Sequence, residues 1–372
     1  MGLKSKYRQW RVARADNDRA KSMQGRQSVA LGFAWRAANI GGVRRHLECI
    51  EKYSQHAVAL YPSTPSHDFL KTRDERSQYH ADLGDPLIDR HSLFHSHVDP
   101  DFIAIAQRAQ QAGKAWVHTY HALYFAEDYG GKLKAWQEKT NHALLNHAAK
   151  ADVRICVSPW LAGYLLDQHR IETVVIPNAV DVSFCDGIRA KTQDGARINT
   201  VVFVGSNDEV KNPSAFIEVA RRLPELQFSM VGTGLTRGNF EERYCVEVPL
   251  NVQPLGPLSH EATLELLSRC STLVMTSHRE GLPTVLLEAM AMEKPCVAPR
   301  SYGCADVIGS EEFGFLYEPN NLEDLKCKIG QSVKLGRMPR ARRRVVDSFS
   351  WPVVAKQLDD IYSGLLSSST RF

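Results

Sequence analysis

The chain has 372 residues, of which 43% are hydrophobic and 24% charged, with a formal net charge of +4. That length exceeds one ordinary core and fits two domains of roughly 150–180 residues each, while so mild a basicity gives no argument for a nucleic-acid partner. No apolar run approaches the ~20 residues of a membrane span, no secretory leader is visible, and eight cysteines scattered singly from Cys49 to Cys327 point to reduced thiols in a cytoplasmic setting.

Residues 1–26 carry Lys4, Lys6, Arg8, Arg11, Arg14, Arg19, Lys21 and Arg26 against only Asp16 and Asp18. They read as a solvated, partly disordered leader. A second reading is an arm that touches anionic lipid at the membrane inner face, each basic residue adding ~1 kcal/mol. A short strand is predicted over 28–35, then a loop at 37–42 and a helix with Val43, Leu47 and Ile50 on one face. Another strand follows at 57–61. Residues 62–90, with Pro62, Pro65 and Pro86, read as a long loop. Strands at 92–95 and 115–120 flank a helix at 103–112, and a long helix at 132–149 leads to a strand at 153–158. Residues 178–197 are turn-forming and polar without a sustained period, and are assigned as a linker. A fresh series begins at 200–205. It continues as helix 213–223, strand 227–231, helix 260–270, strand 272–276, helix 284–292 and strand 296–298, with Pro295 stopping the helix before the last strand. Strands alternating with helices predict an α/β protein with two parallel sheets and two Rossmann-like domains, at 27–177 and 198–348. Ligands in such folds sit at the carboxyl ends of the strands, which predicts a site in a cleft.

The strongest local signal lies at 272–292. A buried strand ends in a loop that carries Glu280, followed by Gly281, Leu282, Pro283 and Thr284, and then a helix with Glu288 inside it. Pro283 suits a first helical turn. Free N–H groups near 281–285 make a site for an anion such as a diphosphate. One carboxylate can then accept from sugar hydroxyls and the other from a ribose. Spacing alone also allows both glutamates simply to complement the helix dipole.

Glu280-Gly-Leu-Pro-Thr-Val-Leu-Leu-Glu288 resembles the Glu-x7-Glu motif of the family-4 retaining glycosyltransferases, which have the GT-B fold. Residues 176–181 (Ile-Pro-Asn-Ala-Val-Asp) resemble the segment that leads into the interdomain linker of that family. Val204-Gly205 followed by Lys211 resembles its first phosphate-binding loop, residues 231–234, 255–256 and 314–319 resemble later strand ends, and residues from 349 resemble a C-terminal helix that returns to the first domain. The resemblance spans about 28–372 and is most specific in the second half. It implies that Glu280 contacts the donor sugar near the reacting carbon and that Glu288 binds the ribose. It assigns sugar and diphosphate to backbone N–H groups around Gly281, Leu282, Pro283 and Thr284, and the leaving charge to Lys211. Gly41 and Gly42 fall where the family has a glycine-rich loop beside the donor; a plain turn before a helix is the alternative. One departure stands out: after Gly205 the family usually has arginine, and this chain has Ser206. A hydrogen bond from a charged group contributes roughly 1.5–3 kcal/mol, and Lys211 or Arg44 are the candidates to replace it.

Thr119-Tyr120-His121 resembles the family's Thr-x-His, whose histidine lies beside the donor sugar, so His121 is the candidate for aligning donor or acceptor. His95 and His97 share a strand face and with His118 and His121 offer the donor types of a zinc site. The family uses no such metal, however, and His118 is expected on the other face. Asp99-Pro-Asp101 is read as a helix N-cap rather than a metal-binding Asp-x-Asp. The resemblance therefore implies a nucleotide-sugar donor, a glycan, lipid-linked or small-molecule acceptor, no metal or other cofactor, and no nucleic acid. Two alternatives stay open: another GT-B activity (a sugar phosphorylase or epimerase), or a catalytically degenerate partner subunit, suggested by Ser206.

Overall fold

The computed structural model describes residues 16, 27–32, 42–62, 73–192 and 199–368. The basic leader apart from Asp16, and the loop that contains Gly41, lie outside them. The chain divides into two compact units. Unit 1 combines Met1–Tyr124, Leu133–Pro177 and Pro352–Phe372, and unit 2 combines Phe125–Lys132 with Asn178–Trp351.

Unit 1 contains β1 (Ser28–Gly32), α1 (Gly42–Tyr53), β2 (Ala57–Tyr61), α2 (Arg73–Arg90), β3 (Leu93–Ser96), α3 (Pro100–Gln111), β4 (Ala115–Tyr120), α4 (Ala135–His142), β5 (Val153–Cys156), α5 (Pro159–His169) and β6 (Val174–Val175). Its strands pair in parallel in the order β2-β1-β3-β4-β5-β6. β1, β3 and β4 are buried along their whole length, as parallel strands covered on both faces must be. In α1, Leu47 and Ile50 are buried as the period requires, and so are Arg44 and His46. The stretch 62–90 is not a long loop. Its second half is α2, whose Tyr79, Leu83 and Leu87 repeat at a spacing of four and are buried. Pro86 sits inside that helix, where it removes one N–H without breaking the buried stripe. The Tyr79 hydroxyl donates to Asp16 at 2.6 Å. The helix expected over 132–149 is shorter: α4 gives way to a π-helical turn at Ala143–His147 and a 3₁₀ turn at Ala148–Lys150. Asp99 caps α3 by accepting the Asp101 N–H, with Pro100 in the first turn.

Unit 2 opens with a second correction. The segment 178–197 carries a helix over its described part, α6 (Val182–Thr192), which buries Cys185 and Ile188. Then follow β7 (Thr200–Val204), α7 (Pro213–Arg221), β8 (Gln227–Val231), α8 (Arg237–Tyr244), β9 (Val252–Gly256), α9 (His260–Arg269), β10 (Thr272–Val274), α10 (Thr284–Ala291), β11 (Cys296–Pro299), α11 (Tyr302–Ile308), β12 (Phe315–Tyr317), α12 (Leu322–Leu335), α13 (Pro339–Ser348) and α14 (Trp351–Ser368). The parallel sheet runs β12-β11-β10-β7-β8-β9. Its core joins Val201 and Phe203 of β7 to Phe216 of α7 and Phe228 and Met230 of β8, with the Phe203–Phe216 and Phe216–Phe228 rings 5.4 and 5.3 Å apart. From Pro352 onward α14 belongs to unit 1. There Asp359 accepts from the Ser54 hydroxyl (2.5 Å) and the Gln55 N–H (2.9 Å), and Tyr362 bonds to His95 Nδ1 at 2.6 Å. No helix among the described residues is long and apolar enough to cross a membrane.

Candidate active site

In unit 2 the loops at the carboxyl ends of β7, β8 and β10 are held together by backbone and by one charged cluster. Gly232, just past β8, has φ +148°, and a Cβ there would lie 1.7 Å from the Gly205 carbonyl oxygen. Only glycine permits this approach of the two loops. The β7 loop then closes a 3₁₀ turn at Glu209–Lys211, capped by Asp208, and Asn212 N-caps α7. Thr276 stitches it to the β10 loop by donating to the Lys211 and Asn212 carbonyls, and the His278 N–H donates to Val210 O at 2.8 Å.

That stitching brings together two residues that the sequence assigned to separate tasks. Lys211 Nζ lies 2.6 and 2.9 Å from the two carboxylate oxygens of Glu280, and the Ser277 hydroxyl donates to Oε1 at 2.7 Å. The Glu280 side chain is 11% exposed and that of Lys211 28%. The result is a half-buried carboxylate, charge-paired and hydrogen-bonded, beside the start of α10. Pro283 stands at the N-cap of that helix, one position outside the first turn, and Thr284 is its first residue. Gly281 and Leu282 are buried. The Leu282 carbonyl accepts from Asn178 Nδ2 at 2.8 Å, while the buried Asn178 Oδ1 has no partner among the described residues. Behind the loop, the Gly303 N–H points at the Glu280 carbonyl (3.3 Å), and a Cβ on Gly303 would come within 2.1 Å of Gly281 O. Arg279 is fixed by Asp128 at 2.8 Å and lies over the Phe125 ring at 3.8 Å and the Tyr302 ring at 4.4 Å, which secures the Phe125–Lys132 excursion within unit 2.

Glu288 lies in the second turn of α10. Its Oε1 is 2.6 Å from Nε2 of His260, the first residue of α9, and Phe184 of α6 stacks on that imidazole at 5.6 Å with an 11° tilt. Among the described residues Oε2 of Glu288 has no hydrogen-bond partner, which leaves it for a further donor. Ser277, His260, Phe184, Asn178 and Gly303 were not singled out from the sequence. They are ordinary residues until the fold sets them against Glu280 and Glu288. Ser206 is exposed just beyond Gly205. Arg44, in unit 1, has its buried guanidinium held by Glu48 at 2.8 Å and by the Pro62 carbonyl at 3.1 Å. Because Ser206 faces solvent, Ser206→Arg should leave nucleoside-diphosphate affinity unchanged or higher. Calorimetric titration checks this, and a large loss would show that the loop is shaped for a small side chain.

In unit 1, Gly42 begins α1 and is exposed. His121, one residue past β4, is buried, and its Nε2 lies 2.9 Å from His97 Nδ1. His95 is committed to Tyr362 and to Thr119 Oγ1 (2.8 Å), and His118 points to Ser96 Oγ (2.8 Å). The set His95, His97, His118 and His121 therefore does not converge. Instead His46 of α1 joins His97 and His121, its ring 4.9 Å from that of His121. Burial disfavours the imidazolium form and, with the repulsion that protonating one imidazole beside another would meet, lowers the pKa of His46, His97 and His118, and that of His95 to about 3. These rings are neutral at physiological pH.

A family profile described as Glycosyl transferases group 1 matches residues 186–345, and one described as Glycosyltransferase Family 4 matches residues 50–184. The chain is 25% identical over 300 residues to UDP-Gal:alpha-D-GlcNAc-diphosphoundecaprenol alpha-1,3-galactosyltransferase of Escherichia coli, a match covering 74% of this chain and 76% of that protein. It is 25% identical over 221 residues to an uncharacterised glycosyltransferase of Methanocaldococcus jannaschii. That match covers 58% of this chain and 60% of the relative, so less than two thirds of the relative's length is spanned. Among solved structures, sucrose-phosphate synthase from Thermosynechococcus elongatus superposes with a TM-score of 0.72 at 21% identity, covering 92% of this chain and all (100%) of that one. Anabaena HepE in complex with UDP-glucose gives a TM-score of 0.71 at 17% identity, covering 91% and 99%. These likenesses show the fold, the GT-B class with two Rossmann-like domains. With the two profiles side by side over most of the sequence and the Glu280–Glu288 motif on the loop and helix after β10, the chain belongs to the group 1, family-4-type glycosyltransferases.

Proposed function

We propose that this protein transfers a sugar from a nucleoside-diphosphate sugar to a glycan, lipid-linked or small-molecule acceptor, with retention of anomeric configuration and without a metal. The observation that carries this reading is the cluster of Lys211, Ser277 and Glu280 at the start of α10. The first-turn N–H groups of α10 supply an anion site, and Lys211, with three N–H donors, can hold Glu280 and a diphosphate oxygen together. Glu280 then accepts from hydroxyls of the donor sugar. As the bond between anomeric carbon and phosphate oxygen breaks, its electron pair leaves with the phosphate. Lys211 and the helix N-terminus meet that charge, which is stabilisation by groups already in place. The departing phosphate oxygen takes the proton of the acceptor hydroxyl, which bonds to the same face of the sugar. His121 is assigned to aligning donor or acceptor. The UDP-glucose complex of the Anabaena protein supports a nucleotide-sugar donor.

The test is a thermal-shift screen with UDP-, GDP- and ADP-sugars, followed by turnover and the anomeric configuration of the product. A ligand at 100 times its Kd adds about 2.7 kcal/mol of stability. No shift with any donor and no transfer would overturn the reading, and an inverted product would overturn retention. Glu288, with Oε2 available beside the His260 contact, is assigned to the ribose, far from the bond that breaks. Such contacts are similar in ground and transition states, so Glu288→Gln should raise donor KM by about tenfold, or ~1.4 kcal/mol, with kcat nearly unchanged in initial-rate assays. EDTA should not lower turnover, since Lys211 and backbone N–H groups meet the phosphate charge. Loss of activity that added Mg2+ or Mn2+ restores would contradict the metal-free mechanism.

A further inference from the structure

His46, His97 and His121 come from three rigid places: α1, the residue just past β3, and the residue just past β4. All three are buried, and each offers a ring nitrogen within 4.8 Å of the others. Their ring centroids form a triangle with sides of 4.9 Å (His46–His121), 5.2 Å (His97–His121) and 5.7 Å (His46–His97). In a tetrahedral site imidazole nitrogens lie ~2.0–2.1 Å from the ion, which places neighbouring ring centres about 5 Å apart. The triangle already has that size, so small ring rotations suffice to aim three nitrogens at one point. The His97 nitrogen that faces His121 is Nδ1, 2.9 Å from Nε2 of that ring, so a nitrogen of each already points into the space between them. The other two histidines nearby stand outside this group: both nitrogens of His95 are engaged by Tyr362 and Thr119, and His118 directs Nδ1 at Ser96. An all-nitrogen set favours Zn2+, Co2+, Ni2+ or Cu2+ over Mg2+ or Ca2+. Three protein ligands leave the fourth tetrahedral position to a water or another small ligand.

We propose that His46, His97 and His121 bind one transition-metal ion of the zinc class, and that this ion withdraws His121 from its part in sugar transfer. The first half stands on the geometry of unit 1 alone, and the second rests on the transfer reading given above. The ion is thus an inhibitor of the reaction and not its cofactor.

The experiment is a Co2+ titration of the full-length, metal-stripped protein, followed by visible absorption and then by displacement with Zn2+. One equivalent of Co2+ should give the intense bands of a tetrahedral site, and one equivalent of Zn2+ should remove them. His46→Asn and His97→Ala should lose the bands, while His118→Ala should keep them, with circular dichroism confirming each fold. Absence of tetrahedral bands in the wild-type protein overturns the site without reference to any variant, and so does their persistence in folded His46→Asn and His97→Ala. In parallel, Zn2+ should lower wild-type turnover in proportion to occupancy, EDTA should restore it, and the residual turnover of His97→Ala should ignore Zn2+. Binding without inhibition overturns the competition with His121. A metal-free protein that turns over no nucleotide sugar fails the transfer reading and leaves the absorption result standing.

Discussion

Glu280→Gln should lower kcat by about 10²-fold or more, the scale of losing one stabilising group where charge develops, while the protein stays folded. Glutamine keeps the shape and can still accept from Ser277, but it removes the charge that holds Lys211 at 2.6 and 2.9 Å. A freed Lys211 is more available to phosphate. Affinity for free nucleoside diphosphate should therefore hold or rise while the chemical step slows. His121→Ala should also cut kcat with diphosphate affinity retained, since it leaves Lys211 and the start of α10, the groups assigned to the diphosphate under the proposed function, unchanged. Initial rates combined with calorimetry separate the two quantities. Near-normal kcat in both variants would remove these residues from the chemistry.

Gly303→Ala should be nearly as damaging, although residue 303 offers no side chain to any ligand. Its Cβ would lie 2.1 Å from the Gly281 oxygen, 2.6 Å from the Gly281 carbonyl carbon and 3.0 Å from the Glu280 oxygen. These are backbone atoms of the loop that presents Glu280, so relief requires that loop to move by about 1 Å. A misplacement of that size can cost about 10²-fold in rate. The expected pattern is a large fall in kcat with β10, α10 and the fold retained by circular dichroism. A fully active Gly303→Ala would show that the loop position is not part of the site.

Much of this was legible in the sequence because the relevant signals are local. The Glu280–Glu288 spacing, Gly281 before α10 and the alternation of apolar strands with helices each sit within a short window. The Asp99 cap was legible for the same reason. What the sequence hid is long-range or weakly patterned. α2 was obscured by Pro86 and by an apolar stripe only one residue wide (Tyr79, Leu83, Leu87). α6 was obscured by Gly187 and by having only Cys185 and Ile188 to bury. The Lys211–Glu280 pair joins residues 69 apart and the His260–Glu288 pair residues 28 apart, and no period announces either. His46 reads as one polar residue beside Leu47 on an amphipathic helix; only the fold turns it toward His97 and His121.

The docking of α14 has a further consequence, for the order in which the chain acquires its structure during synthesis. Unit 1 holds Asp359 against Ser54 and Gln55, and Tyr362 against His95, yet these partners are separated by all of unit 2. Translation proceeds at ~5–20 residues per second, so the stretch 178–351 adds about 9–35 s between the two halves of those contacts. Over that interval the α1–β2 corner and the end of β3 leave the ribosome without their last covering layer. Unit 2, whose main stretch is contiguous, can close first. A released chain that ends at Trp351 thus has every residue of the second unit together with a first unit whose buried His95 still lacks its tyrosine.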